Sequence, residues 1–427
     1  LGAQPLAAMS FCFPITFVVL SITMGIGIGT TSVLARVLGE GDRSRVRVIT
    51  THALILALSI VVVVAGLGLS SIDLVFSAMG ARGETLALIH EYMDVWYFGV
   101  GFLVVPMVGN SALLATGDTK SPSVIMMVAG VVNLILDPPL IFGWGPFPQL
   151  GLRGAAIATL ISWTTTFGAA LYLLARRERM IDWSLPRPRE VWHSWRRILY
   201  VGLPAAATNL LVPLSTAVLT RFVAEYGERP VAAYGVGGRL ESLAMIGINA
   251  LSTALTPFIG QNYGAHQCER IRDAVYFARR ASLTWGFGAA LFLGVFASPL
   301  ARIFNGDADI VSTSIDYLRI IPISYGLLGI GMLVNTIFTA LGKPAQASAL
   351  VAVRLFVLAL PLAYLGRALL GLEGIFIGIA VGNGLTAAFA WFLIRRELKQ
   401  VEDLLLQRRQ EEATTTSVDL SQAASTA

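Results

Sequence analysis

A carboxylate and an amide stand one helical turn apart in the apolar stretch "NLILDPPLIFG", residues 133–143. Asn133 and Asp137 are spaced i, i+4, so in a helix they share one face, about 6 Å apart along the axis. Ionisable groups at membrane depth are costly and commonly belong to ion or proton pathways. A carboxylate with an amide oxygen suits Na⁺, and the same carboxylate can take a proton instead. The pair therefore predicts a coupling site for Na⁺ or H⁺.

Two prolines follow this pair directly. Pro138 and Pro139 lack the N–H that would bond the carbonyl four residues earlier. Such freed carbonyls are recurrent cation ligands in transporters. Thr159, at a similar depth in the next apolar stretch, is predicted as a further polar ligand. The alternative is that Asp137 is a structural hydrogen-bonding acid near the outer boundary and that the prolines only end the helix.

A second set of charges lies in the other half of the chain. Glu241, in "GRLESLAMIG", and Arg354, in "VAVRLFVLAL", both lie well inside apolar stretches. Opposite charges at comparable depth are expected to pair, with Arg239 as a third member. Two interpretations remain open: a structural ion pair between helices, or a substrate-binding role for Glu241. Burial of such a pair is not itself evidence of stability.

The composition determines which elements carry these residues. Of 427 residues, 55% are hydrophobic and 13% are charged, which excludes an ordinary soluble enzyme. The apolar runs are about 20 residues or longer, enough to cross a hydrocarbon core of about 30 Å as helices. Cys12, Cys268 and the histidines show no ligand spacing, so no metal or cofactor is expected besides the coupling ion. The sequence predicts an all-α polytopic membrane protein.

An internal repeat organises the chain. At a spacing of 225 residues, Gly2 matches Gly227 and Asn110 matches Asn335, and the match resumes after a slightly shorter loop. The second copy has one more apolar span before its matched region than the first. We therefore expect twelve helices in two six-helix repeats, with the first helix absent and eleven present.

Counted from 2, the predicted spans are 5–33, 48–69, 89–115, 122–143, 154–175, 198–222, 231–257, 281–304, 314–341, 346–366 and 374–394. The predicted domains are an N-terminal lobe (1–180), a cytoplasmic inter-lobe loop (181–197), a C-terminal lobe (198–398) and a polar, disordered tail (399–427).

The distribution of basic residues orients these spans. Arginines gather in the loops between spans 2 and 3, 6 and 7, and 8 and 9, which places those loops and the C-terminus in the cytoplasm. The net charge of +5 thus reflects membrane orientation, and no nucleic-acid partner is expected. Because six is an even number, the two repeats run parallel. This arrangement is typical of transporters that rock two bundles about a central site.

Several stretches together resemble the multidrug and toxic compound extrusion (MATE) family: "LGAQPLAAMSFCFPITF", "ARVLGEGD", "GNSALLATGDTKSP", "NLILDPPLIFG", "GLRGAAIAT", "FIGQNYGAH" and "NTIFTALGKP". The resemblance covers about residues 1–398. It implies a monomeric bacterial inner-membrane antiporter that exports amphipathic, often cationic, small organic compounds in exchange for Na⁺ or H⁺.

The resemblance also implies roles for particular residues. Many members build a cation site from an acid on helix 1 and an Asn and Asp one turn apart on helix 5, which Asn133 and Asp137 match. Some members use an acid on helix 7, but residues 198–222 contain none, which puts such a site in doubt.

Two rival functions remain. A lipid or lipid-linked oligosaccharide flippase of the same superfamily would line its cavity with many basic groups, and only Arg239 and Arg354 lie clearly at depth. A membrane-embedded enzyme would need a nucleophile, acid or metal cluster at the membrane surface, which the sequence does not offer.

Overall fold

The computed structural model describes residues 3–146 and 148–426, and every regular element within them is helical. The chain divides into two compact units, Leu1–Leu210 with Gly342–Pro344, and Leu211–Leu341 with Ala345–Ala427. Each unit has its own buried apolar core, the first around Phe76 and Leu113 and the second around Phe338 and Phe376.

Within the described residues, the first unit consists of five helices and the first part of a sixth. They are α1 (Ala3–Gly39), α2 (Arg43–Ala78), α3 (Glu84–Ala115), α4 (Lys120–Phe142), α5 (Gly151–Tyr172) with a π-helical continuation (Leu173–Arg177), and the first part of α6 (Pro188–Ala224).

The second unit takes over within α6. Its further helices are α7 (Glu228–Ala244), α8 (Ile246–Gly264), α9 (Cys268–Val295), α10 (Ala297–Phe304), α11 (Ala308–Ile320), a 3₁₀ turn (Ile321–Ser324), α12 (Tyr325–Ala340), α13 (Pro344–Ala352), a π-helical segment (Val353–Ala359) and α14 (Leu360–Thr426).

Each predicted span corresponds to one helix or to consecutive helical segments. By length and composition, eight helices of the described residues can cross a membrane, or ten if each of two bent pairs forms one span. The longest of them, Pro344–Gln400, is interrupted at Gly371, where φ is 66° and ψ is −139°. That interruption separates the predicted spans 11 and 12.

The predicted span 8 is not one straight helix. α7 and α8 meet at Met245 with a bend of 43°. The indole N–H of Trp285 donates to the carbonyl of Ala244 at this break (2.7 Å), and Gly247 leaves room for the ring, because a Cβ there would lie 2.4 Å from it. α1, the equivalent helix of the first copy, runs without a break.

Two helices extend beyond their predicted limits. α6 begins at Pro188, so only the first part of the predicted inter-lobe loop is non-helical. α14 continues to Thr426, although the sequence predicted a disordered tail from residue 399. The tail contains neither glycine nor proline and is rich in Glu, Gln, Leu and Ala, and these residues favour helix even when they are polar.

Small residues bring the helices close together within each unit. In the first unit, a Cβ on Gly25 of α1 would lie 2.4 Å from the carbonyl oxygen of Gly202 in α6. In the second, a Cβ on Gly286 of α9 would lie 2.1 Å from the backbone nitrogen of Gly326 in α12. Such contacts are typical of membrane helices, which associate through close backbone approach.

We therefore expect Gly286→Ala to lower the apparent unfolding temperature of the detergent-solubilised protein. The added methyl group meets backbone that cannot turn aside, and overpacking of this kind costs about 1–3 kcal/mol. Gly288→Ala is the matched control, because nothing lies within 4 Å of a Cβ at that position. Intrinsic tryptophan fluorescence on heating measures both variants, and equal unfolding temperatures would contradict the packing argument.

Candidate cation and substrate sites

Asn133 and Asp137, the predicted coupling pair, lie on one face of α4. The side-chain amide of Asn133 donates to Oδ1 of Asp137 (3.3 Å), and both side chains are partly buried. Among the described residues, this is the hydrogen bond that the structure gives to the Asp137 side chain. One carboxylate oxygen is therefore left to accept a proton or to coordinate a cation.

The helix does not end at the two prolines. α4 continues through Pro138 and Pro139 to Phe142 and ends at Gly143, which adopts a left-handed conformation. The coupling pair thus lies within a helix rather than at its terminus. Since proline has no N–H, the carbonyls of Leu134 and Ile135 have no helical donor, and the side chains of these two residues are exposed.

α5 holds α4 in place along this stretch. The Ser162 hydroxyl donates to the carbonyl of Ala129 (2.6 Å), and a Cβ on Gly154 would lie 2.3 Å from the carbonyl oxygen of Leu140. Thr159 lies on α5 as predicted, but its hydroxyl donates to the carbonyl of Ala155 in its own helix (2.9 Å). The structure gives it no contact with the coupling pair, so its role as a ligand stays a prediction.

A tyrosine that the sequence analysis did not single out lies near the coupling pair. Tyr92 of α3 interacts electrostatically with Asp137 and with Cys12 of α1. Helices α3 and α4 therefore both contribute polar groups near the carboxylate. Within the described residues, no group of three or more His, Cys, Asp or Glu could hold a metal ion. Cation binding at Asp137 thus depends on neutral oxygens such as amides, hydroxyls and carbonyls.

Glu241 of α7 is surrounded by aromatic side chains in the second unit. Its Oε2 accepts hydrogen bonds from the hydroxyls of Tyr317 (2.8 Å) and Tyr325 (3.4 Å). The Tyr317 ring packs edge-on against Tyr234 and Phe376, with ring centroids 5.8 and 5.3 Å apart. Because the carboxylate accepts two hydroxyl donors, it is held in one position.

The two arginines expected near Glu241 differ in placement. Arg354, in the π-helical segment, interacts electrostatically with Glu241, and its buried Nε has no hydrogen-bond partner among the described residues. Segments of π-helix often occur at functional sites. Arg239 is exposed, and no described contact joins it to the pair. The expectation that Arg239 is a third member therefore has no support in the structure.

The tyrosines carried a signal in the sequence. Tyr92 and Tyr317 are separated by the repeat spacing of 225 residues, so they are equivalent positions of the two copies. Each lies near an intramembrane carboxylate, although the two carboxylates come from non-equivalent helices, α4 and α7. A search of the repeat for matched polar residues would have found this pair.

Long apolar helices in two repeated units, with isolated charges inside them, define an integral membrane transport protein. The chain belongs to the MatE family, whose family model matches residues 1–138 and 204–365. The resemblance drawn from the sequence motifs and the predicted all-helical membrane fold are both confirmed. The family consists of transporters and not of enzymes.

Relatives that are named for different transported compounds match over most of the chain. An FAD transporter of Shewanella oneidensis is 38% identical over 402 residues, which is 94% of this chain and 89% of that protein. The multidrug export protein MepA of Staphylococcus aureus is 26% identical over 397 residues, 91% of this chain and 85% of that protein.

Solved structures agree with the fold. The Vibrio cholerae MATE transporter VcmN in its bent form superposes with a TM-score of 0.89 at 33% identity, covering 95% of this chain and 91% of that chain. An outward-facing multidrug resistance MATE transporter gives 0.86 at 30% identity, with coverage of 94% and 90%. The alignments cover about nine tenths of each matched chain, so the expectation of a missing first helix stays a prediction.

Proposed function

We propose that the protein is a secondary antiporter that exports amphipathic, often cationic, organic compounds in exchange for Na⁺ or H⁺. The observation that supports this proposal most is the partly buried Asp137, hydrogen-bonded to Asn133 one turn away in an otherwise apolar helix. A carboxylate in such surroundings changes its interaction energy strongly when it is neutralised by an ion. Ion binding there can therefore drive alternating access.

In this mechanism, Asp137 binds the ion from outside and releases it inside. Tyr92 and Asn133 keep the carboxylate solvated by polar groups while it is charged. The neutralised and charged forms favour different arrangements of the first unit, and export of substrate accompanies the return. The bacterial inner membrane, a monomeric state and a cytoplasmic C-terminus belong to the same proposal.

The second unit supplies a group suited to organic cations. Glu241 offers a carboxylate beside the faces and edges of Tyr317 and Tyr234, and aromatic rings attract cations as well as apolar bodies. The competing interpretation is a structural ion pair of Glu241 with Arg354. The two interpretations make opposite predictions for transport when Glu241 and Arg354 are replaced together.

A second candidate substrate is flavin adenine dinucleotide. The relative from Shewanella oneidensis is named an FAD transporter, and at 38% it is more similar than the multidrug relative at 26%. FAD is an anion with a large aromatic ring system, for which Arg354 and the tyrosines provide partners. The lipid-flippase alternative has less support. Such a protein would line its cavity with many basic groups, whereas among the described residues Arg354 is the one arginine that interacts electrostatically with Glu241.

Transport by the purified protein in proteoliposomes tests these proposals. We expect ethidium to move only when a Na⁺ or a pH gradient of opposite direction is imposed, and the effective gradient identifies the coupling ion. FAD in a parallel assay, with vesicles lacking the protein as control, decides between the two substrates. Movement of fluorescent lipid with no transport of either compound would contradict both and favour the flippase.

A further inference from the structure

A basic cavity lies where the start of α2 meets the start of α6, within the first unit. Its volume is about 610 Å³. Four arginines line it, Arg45 from α2 and Arg189, Arg196 and Arg197 from α6, and Trp192 and His193 lie beside them. The two loops that contribute these residues are both predicted to face the cytoplasm, which agrees with their meeting here.

The walls of the cavity are fixed by buried polar contacts. The ring nitrogen Nδ1 of His52 in α2 shares a hydrogen bond with the Ser194 hydroxyl (2.9 Å). The indole N–H of Trp195 donates to the carbonyl of His52 (2.9 Å). The start of α6 is thereby held against α2, so the arginines project from a rigid frame.

The lining of the cavity carries more positive than negative charge, because four arginines face the two carboxylates of Asp42 and Glu190. The two carboxylates in its lining are engaged, since Asp42 accepts from the backbone N–H of Arg45 (2.9 Å) and Glu190 pairs with Arg187 (3.2 Å). Arg45 itself pairs with Glu40 (3.2 Å).

Three of the arginines, Arg189, Arg196 and Arg197, make no ion pair within the part of the chain that the structure describes. An anion fits a cavity in which several guanidinium groups lack a partner.

The cavity residues of α6 precede the predicted membrane span 198–222. α6 has 37 residues, about 55 Å at 1.5 Å per residue, whereas a hydrocarbon core is about 30 Å thick. Its first turns therefore extend beyond the core. Trp192, Trp183 and Leu185 are 66%, 80% and 94% exposed. Tryptophans at this level are typical of the headgroup region.

We propose that this cavity binds the phosphate of an anionic phospholipid from the cytoplasmic leaflet. The arginines hold the phosphate, and the exposed Trp192 lies beside the glycerol and the upper acyl chains. A free phosphate would satisfy the arginines but would leave the neighbouring aromatic and apolar side chains uncovered. The lipid accounts for both, and the cytoplasmic leaflet is the one that is rich in anionic lipid.

The test compares lipids on the detergent-solubilised protein. Phosphatidylglycerol is expected to raise the unfolding temperature in a saturable manner and to remain bound in native mass spectrometry, whereas phosphatidylcholine does neither. In the variant Arg189→Gln/Arg196→Gln, the concentration needed should rise about fivefold for each arginine removed, the size of one basic contact with an anionic leaflet. Both residues are exposed, so the variant is expected to fold.

The control variant Arg176→Gln/Arg270→Gln removes the same charge from exposed arginines outside the cavity and should bind phosphatidylglycerol like the unmodified protein. An equal loss in both variants would show a general surface-charge effect and overturn the site. Saturable stabilisation by inorganic phosphate or by FAD, with none by phosphatidylglycerol, would overturn the lipid as occupant.

Discussion

Asp137→Asn is expected to reduce gradient-driven transport to the level of vesicles without protein, while the variant folds and inserts normally. Asparagine has nearly the same shape and can still accept a hydrogen bond from Asn133, which lies 3.3 Å away from the carboxylate oxygen. It can neither take up a proton nor present the negative charge that attracts Na⁺. The loss should therefore appear in transport and not in the unfolding temperature.

Glu91→Gln is the matched control for this variant. Glu91 is an exposed acid on α3, next to Tyr92, and it lies in the same unit as Asp137. Its neutralisation removes one carboxylate without touching the coupling pair, so transport should be unchanged. Retained coupling in Asp137→Asn, or an equal loss in Glu91→Gln, would refute the assignment of Asp137.

The contact between Asn133 and Asp137 was predictable from the sequence because its geometry is local. Asn133 and Asp137 are four residues apart, and any helix brings residues at that spacing to one face. The spans were predictable for a similar reason, since a long apolar run has few alternatives in a membrane. The repeat added the equivalence of the two halves, which a single span does not reveal.

The other features depend on contacts between distant segments. At the break at Met245, the carbonyl of Ala244 accepts a hydrogen bond from Trp285, 41 positions further along the chain. The donors to Glu241 are Tyr317 and Tyr325, which lie 76 and 84 positions away in the chain. No local pattern around Glu241 distinguishes tyrosine partners from arginine partners, so the sequence predicted Arg354 and Arg239 as partners and not the tyrosines.

The second large effect is expected for Glu241→Ala, which should destabilise the second unit as well as stop transport. It leaves the hydroxyl groups of Tyr317 and Tyr325 without their acceptor and the Arg354 guanidinium without its counter-charge. A buried donor left without its acceptor costs about 1–3 kcal/mol, and a buried charged group costs more. Thermal unfolding in detergent and transport in proteoliposomes measure the two effects separately.

The double variant Glu241→Leu/Arg354→Leu separates a structural pair from a substrate site. It removes both charges, and replacing a buried pair by apolar side chains is often neutral or stabilising, so the unfolding temperature should recover most of what Glu241→Ala loses. If the pair is structural, transport recovers with stability. If Glu241 binds the organic cation, the double variant is stable but does not transport. In that case the single variant Tyr317→Phe should also bind substrate more weakly, because the carboxylate loses the closer of the two donors that hold it in position. A double variant as unstable as Glu241→Ala would show that Arg354 does not depend on Glu241, and it would overturn the pairing on which both interpretations rest.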